Sequence, residues 1–231
     1  MTEPPRPAAG GWKTWLVAGL LGALVGAGLM LAANGYFIRS YLLENPEILP
    51  EAMDRLRARE AAQAVEQSRA ALEAPFHSAW AGAADGDVVL VEFFDYACGY
   101  CRAANPDVER LLAEDPRLKV VWREYPVLGP DSEQAAVASL AAAEAGRFRA
   151  FHERLFAAGR PTGATVAAAA DAAGVAAPAL TPEYRAELER NFELGRAIGA
   201  TGTPTFVVGD RILQGAVGYE ALKEAVEAAR R

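Results

Sequence analysis

Both cysteines of the chain stand in one short stretch, VEFFDYACGYCRAANP (91–106), as Cys98 and Cys101 with only Gly99 and Tyr100 between them. The thiolate is the reactive form of cysteine, and the unpaired N–H groups and partial positive charge of a helix N-terminus favour it. The segment CRAANPDVERLLAED has the composition of a helix that opens at or beside Cys98. Cys101 follows one turn later, on the same side and within reach of a disulfide. Such a pair can cycle: Cys98 attacks, or is attacked in, a mixed disulfide, and Cys101 resolves it.

Other readings of the pair stay open at this level. A zinc site needs two further ligands, and with no other cysteine and with His77 and His152 isolated in sequence it has no obvious source for them. A non-catalytic metal-handling module could hold a soft ion such as Cu(I) through both thiolates. A purely structural disulfide across two residues closes almost no loop and stabilises little. An inert buried pair is the last alternative.

The surrounding elements decide whether the helix start exists. VVLVEFF is a nearly continuous apolar run, which predicts a strand buried on both faces immediately before the motif. LKVVWREYPV predicts a second strand, so that strand, helix and strand form a right-handed unit with a parallel pair. Pro106 predicts a kink or restart in the helix between them, with Asn105 as the cap. Residues 131–198 read as helical throughout, with Phe148, Phe151, His152, Leu155 and Phe156 on one apolar face. His152 is expected to cover the edge of that face rather than take part in chemistry. TPTFVVGDRILQG then reads as a hairpin turning at Gly209-Asp210, and an amphipathic helix closes the chain.

With 231 residues, 52% of them hydrophobic and 23% charged, the chain can bury a sizeable core. A net charge of −7 with scattered basic residues excludes a nucleic-acid footprint. Ahead of the strands, WLVAGLLGALVGAGLMLAA carries no charge and as a helix would be about 28 Å long, close to one hydrocarbon core. Residues 15–38 are therefore expected to be a transmembrane anchor, or else a signal sequence, after a cytoplasmic segment 1–14. Residues 39–84 read as a helical stalk or linker, with Asn45 capping it, Pro46 in its first turn and Pro50 as a point of restart. Leu42, Leu49 and Leu56 start a heptad seam that Gln63 and Ala70 continue without bulk. The segment is either a self-associating stalk, or a solvated spacer or a helix packed on the domain.

VEFFDYACGYC, AGRFRAFHERLF and IGATGTPTFVVGD, in this order and spacing over residues 85–231, resemble the DsbA family of thioredoxin-fold thiol-disulfide oxidoreductases. The Gly-Tyr dipeptide, the Thr-Pro pair and SYLLENPEIL resemble most its ScsC and Com1-like branch of exported bacterial proteins. The resemblance implies an α/β thioredoxin fold with an inserted helical subdomain and no cofactor. Cys98 would be the exposed nucleophile and Cys101 the buried resolving thiol. Thr203-Pro204 would be a cis-proline loop, with the Thr203 backbone pairing to an extended substrate near Gly99 and Tyr100. Glu92 would be the buried acidic residue; its alternative is an exposed carboxylate on a strand edge. The DsbA type has Pro-His where this chain has Gly-Tyr, so one group that stabilises the nucleophile's charge is missing and a very strongly oxidising potential is not expected. The implied partners are unfolded or misbridged exported proteins and a membrane redox protein, either a quinone-linked oxidase or a reductase. The expected setting is the bacterial inner membrane with the domain in the periplasm. Some relatives oligomerise through the stalk-like segment.

Overall fold

The computed structural model describes residues 12–175 and 179–231, so the expected cytoplasmic segment 1–14 falls almost wholly outside the described residues. The chain divides into two units, Met1–Leu56 and Arg57–Arg231.

The first unit is built on α1 (Trp12–Glu44), whose part Trp15–Glu44 is long and apolar enough to cross a membrane, with an 18-residue window of mean hydropathy 2.2. Asn45 does not cap the next helix. Its side-chain amide donates to the Tyr41 carbonyl at 2.9 Å and closes α1 instead. The next helix, α2 (Ile48–Glu73), takes Pro50 into its first turn without a restart, because the N–H groups there have no intrahelical partner to lose. Its residues from Arg57 onward belong to the second unit.

The second unit is a five-stranded sheet in the order β1-β3-β2-β4-β5. Its centre is β2 (Val88–Phe94), which pairs in parallel with β3 (Leu118–Glu124) through the crossover helix α3 (Gly99–Glu114). That is the predicted strand–helix–strand unit. Pro106 lies inside α3, and the helix runs through it as one element, so of the expected kink or restart the restart does not occur. A helical insertion follows: α4 (Pro130–Glu144), α5 (Phe148–Ala158), α6 (Gly163–Ala173) and α7 (Pro182–Ala197). The chain then returns through β4 (Thr205–Val208), antiparallel to β2, turns at Gly209-Asp210, forms β5 (Arg211–Gln214) and ends with α8 (Tyr219–Ala229). This is the thioredoxin fold with an inserted helical subdomain.

The two sheet faces bury different partners. Leu90, Phe94, Val120, Trp122, Phe206 and Val208 meet α3, α8 and the insertion. Val91, Phe93, Val121 and Val207 pack with Leu194 and Ile198 at the end of α7 and with Val65 and Leu72 of α2. Of the alternatives for 39–84, a helix packed on the domain is the one that holds from Arg57 onward. Arg57–Glu73 of α2 and the short strand β1 (Trp80–Gly82), antiparallel to β3, are parts of the compact unit. Buried Arg123 holds that end of α2: its guanidinium donates to the carbonyls of Ala71, Leu72 and Ala74, which no helical N–H reaches, and to Glu187 and Asn191 of α7. Heptad logic gave no sign of this, because the buried residues Val65 and Leu72 are not on the Leu42–Leu49–Leu56 series.

Candidate active site

At the end of β2 the backbone must turn sharply into α3, and Asp95 makes that turn. One carboxylate oxygen accepts the Ala97 N–H at 2.8 Å; the other accepts Val127 N–H at 2.9 Å and Leu128 N–H at 3.0 Å. The same side chain therefore closes the turn and ties it to the loop after β3. Sequence reading passed Asp95 over, although an aspartate at a strand end two residues before a free N–H is the pattern of an Asx turn.

Cys98 is the residue that precedes α3, in an extended conformation, with its own carbonyl accepting the first helical bond from Arg102 N–H at 3.2 Å. It stands where the helix-start argument put it. Its sulfur donates to the backbone carbonyl of Thr203 at 3.2 Å, and the Thr203-Pro204 peptide is cis. About one hundred residues of chain separate these groups, and the sheet brings them together because β4 is the antiparallel neighbour of β2.

The two thiols, both free, differ in environment. Cys98 keeps 7% of its surface, whereas Cys101 is sealed on the inner side of α3. Burial pushes the Cys101 thiol far above the usual range, and the nearby Glu92 charge adds to it; the Asp95 amide and the Thr203 hydroxyl oppose it. Gly99 and Tyr100 lie on the outer side, and Tyr100 is 71% exposed beside Cys98.

Glu92 is buried, not on an exposed edge. It accepts the Trp122 indole N–H at 3.1 Å, and burial, opposed by that bond, raises its pKa to about 8. A carboxyl group with that affinity can take or return a proton at neutral pH, next to a thiol that must lose one to react. His152, expected at the edge of a helical face, is instead at its centre, packed among Phe94, Tyr96, Trp122, Phe148 and Phe156.

The DSBA-like thioredoxin domain family matches residues 89–227, more than half of the chain and all of the elements just described around the cysteines. The chain belongs to this family. Residues 35–63 match a second one, the copper resistance protein ScsC N-terminal domain. Among solved structures, a linker-deletion variant of ScsC from Proteus mirabilis is 33% identical, with 83% of this chain and 90% of that one covered and a TM-score of 0.72. A periplasmic thioredoxin-like protein from Salmonella enterica serovar Typhimurium is 29% identical over 70% of this chain and 95% of its own, with a TM-score of 0.66. Among curated relatives, the Na+/H+ antiporter NhaA 3 of Salinispora tropica is 38% identical over 78 residues, 33% of this chain. The chain spans 12% of that protein and no more than a quarter of the other antiporters it matches. Fold and family agree on a DsbA- and ScsC-like protein of the thiol-disulfide oxidoreductase type.

Proposed function

We propose that this DsbA-like chain exchanges disulfides with unfolded or misbridged exported proteins on the periplasmic side of the bacterial inner membrane, tethered there by α1. The observation that carries the reading is the contact between the Cys98 sulfur and the Thr203 carbonyl. In the free thiol that carbonyl accepts a hydrogen bond from the S–H group. Once Cys98 is joined to a client sulfur the proton is gone, and the carbonyl is free to pair with the backbone of an extended client segment. Docking and covalent capture are thereby linked in one atom.

The chemistry follows from the two environments. Cys98 thiolate attacks a client disulfide, one client sulfur leaves as thiolate, and a mixed disulfide forms. Cys101 then gives its proton to Glu92 and attacks the Cys98 sulfur, which expels the second client sulfur and closes the Cys98–Cys101 disulfide. Run backwards, the same steps give a disulfide to the client. A membrane redox protein, either a quinone-linked oxidase or a reductase, sets the direction by restoring one form of the pair. The exposed leucines Leu49 and Leu56 support self-association through the first part of α2, which would bring several active sites to one misbridged client; Leu42 belongs to α1.

The test is insulin reduction and refolding of a scrambled disulfide protein by the full chain, with a glutathione redox titration of the Cys98–Cys101 pair. Catalysis of either reaction supports the reading. An inert pair that instead takes up Cu(I) stoichiometrically through both thiolates would replace it with a metal-handling role.

A further inference from the structure

β5 is an edge strand of the sheet, and Gln214, its last residue, stands directly opposite Thr205, the first residue of β4. From there its side chain reaches into the segment 198–204, which joins α7 to β4 and carries Thr203. The amide makes bonds on both sides of Thr203. Its Nε2 donates to the Gly199 carbonyl at 3.1 Å. Its Oε1 accepts from the Thr201 N–H at 3.4 Å, the Thr201 hydroxyl at 3.3 Å and the Thr205 hydroxyl at 2.8 Å.

The backbone partners fix which way the amide points. A carbonyl needs a donor and an N–H needs an acceptor, so Nε2 must face Gly199 and Oε1 must face Thr201. The Thr205 hydroxyl has one proton and two acceptors at 2.8 Å, Gln214 Oε1 and the Gly202 carbonyl. When that proton turns to Gly202, the two donors of Thr201 still supply Oε1.

The segment needs such a hold. It belongs to neither helix nor strand and contains Gly199, at a φ of 71°, and Gly202, and glycine has more backbone freedom to lose than any other residue. Its backbone is tied at the ends, where the Ala200 N–H reaches the Gly195 carbonyl and the Pro204 carbonyl accepts the Gly215 N–H. Between those points, among the described residues, side chains hold the backbone: Gln214 at Thr201, Thr205 at Gly202 and Cys98 at Thr203. The Cys98 bond ends when its sulfur joins a client, because the S–H is then gone. Gln214 and Thr205 are what remains to hold the Thr203 carbonyl in place. A loop already fixed in its binding geometry does not have to be ordered by the client, so more of the contact energy appears as affinity.

We propose that Gln214 is a positioning residue for client docking, which from β5 locks the segment on both sides of Thr203 and keeps the Thr203 carbonyl presented to an extended client while Cys98 is engaged in the mixed disulfide. The inference rests on the exchange reading above.

The test is the single-turnover reaction of the reduced full chain, in detergent micelles, with an extended peptide whose one cysteine is joined to thionitrobenzoate. The Cys98 thiolate attacks the peptide sulfur and thionitrobenzoate leaves. Cys101 then attacks the Cys98 sulfur, the peptide leaves as a thiol, and the pair ends as the Cys98–Cys101 disulfide. Ellman's reagent, which has no peptide backbone, is the reference. Gln214→Met keeps the length of the side chain and loses both polar ends, and because Gln214 is exposed the core stays intact. It should raise the peptide concentration for half-maximal rate by about tenfold, the equivalent of one hydrogen bond's net contribution, with the maximal rate within about twofold. Selectivity for the peptide over Ellman's reagent should fall by the same factor. Gln214→Glu keeps the acceptor for Thr201 and Thr205 and loses only the donor to Gly199, so it should raise that concentration by no more than about threefold. An unchanged half-maximal concentration in Gln214→Met, an equal rise in Gln214→Glu, or an equal loss of rate with peptide and Ellman's reagent overturns the proposal. A wild type that never releases the peptide thiol overturns the exchange reading instead. Hydrogen exchange of the Thr201 amide, expected to be faster by about fivefold or more in Gln214→Met, then still decides whether Gln214 locks the segment.

Discussion

The Cys98 sulfur and the Thr203 carbonyl are joined by a 3.2 Å hydrogen bond across the seam between the start of α3 and the loop before β4. The thiol that would meet a client and the backbone that would hold it are therefore a single contact, while Cys101 is shut behind them.

From that asymmetry the two cysteine variants should fail differently. Cys98→Ser should abolish exchange, because the accessible sulfur is gone. Cys101→Ser should accumulate mixed disulfides with client, since attack survives and resolution does not. Non-reducing gels after acid trapping distinguish the two, and mixed disulfides in Cys98→Ser would reverse the assignment.

Glu92→Gln should slow resolution by about a hundredfold, the low range for loss of a positioned base, without unfolding the domain. Its effect on stability has the opposite sign. The folded-state pKa of about 8 lies above the ordinary 4.5, so below pH 4.5 the carboxyl is protonated in both states and costs nothing. As pH rises from 4.5 towards 8 the unfolded chain releases the proton first and stability falls. Gln keeps an acceptor for Trp122 and has no proton to lose. It should therefore stabilise the domain by about 3 kcal/mol at pH 7, shrinking to nothing below pH 4.5. Denaturation midpoints at several pH values check this, and a Gln variant with unchanged kinetics would make Glu92 a structural residue only.

Asp95→Asn should loosen the loop after β3. One oxygen now accepts two N–H groups, from Val127 and Leu128, and the other accepts Ala97; an amide can keep only one of these oxygens and sets a donor against donors on the other side. The expected cost is about 1–3 kcal/mol. Hydrogen exchange should show faster Val127 and Leu128 amides with β2 unchanged, and protection as in the wild type would refute the clamp.

Removal of the N-terminal segment should have two separable effects. A chain beginning at Arg39 should self-associate at micromolar concentration, and one beginning at Arg57 should be a folded monomer. Cutting on through Leu72 should destabilise it as well, because Val65 and Leu72 are buried against the sheet, at about 1.5–3 kcal/mol each, and Arg123 loses the carbonyls it caps. Light scattering and melting curves separate association from stability; monomers for both the Arg39 and Arg57 chains would leave the segment a spacer.

Much of this site was legible along the chain because it is local. A buried apolar strand, two thiols at a helix start and the hairpin at Gly209-Asp210 are each written within about a dozen residues, where periodicity and turn chemistry act. The same is true of the long apolar helix near the N-terminus. Glu92 stood out for a related reason, as an acid in an apolar run, although only the Trp122 indole and the closed sheet face around it decide that it is buried and hard to ionise. The tertiary structure alone decided the rest. Asp95 makes bonds to amides about thirty residues away, and His152 sits at the middle rather than the rim of an aromatic cluster. The sequence left α2 open between a stalk, a spacer and a packed helix because its buried side chains, Val65 and Leu72, are few and its fixing partner, Arg123, lies about fifty residues further on. Local pattern records which face of an element is apolar; which distant polar group completes a buried one is set by packing and desolvation, which act between elements.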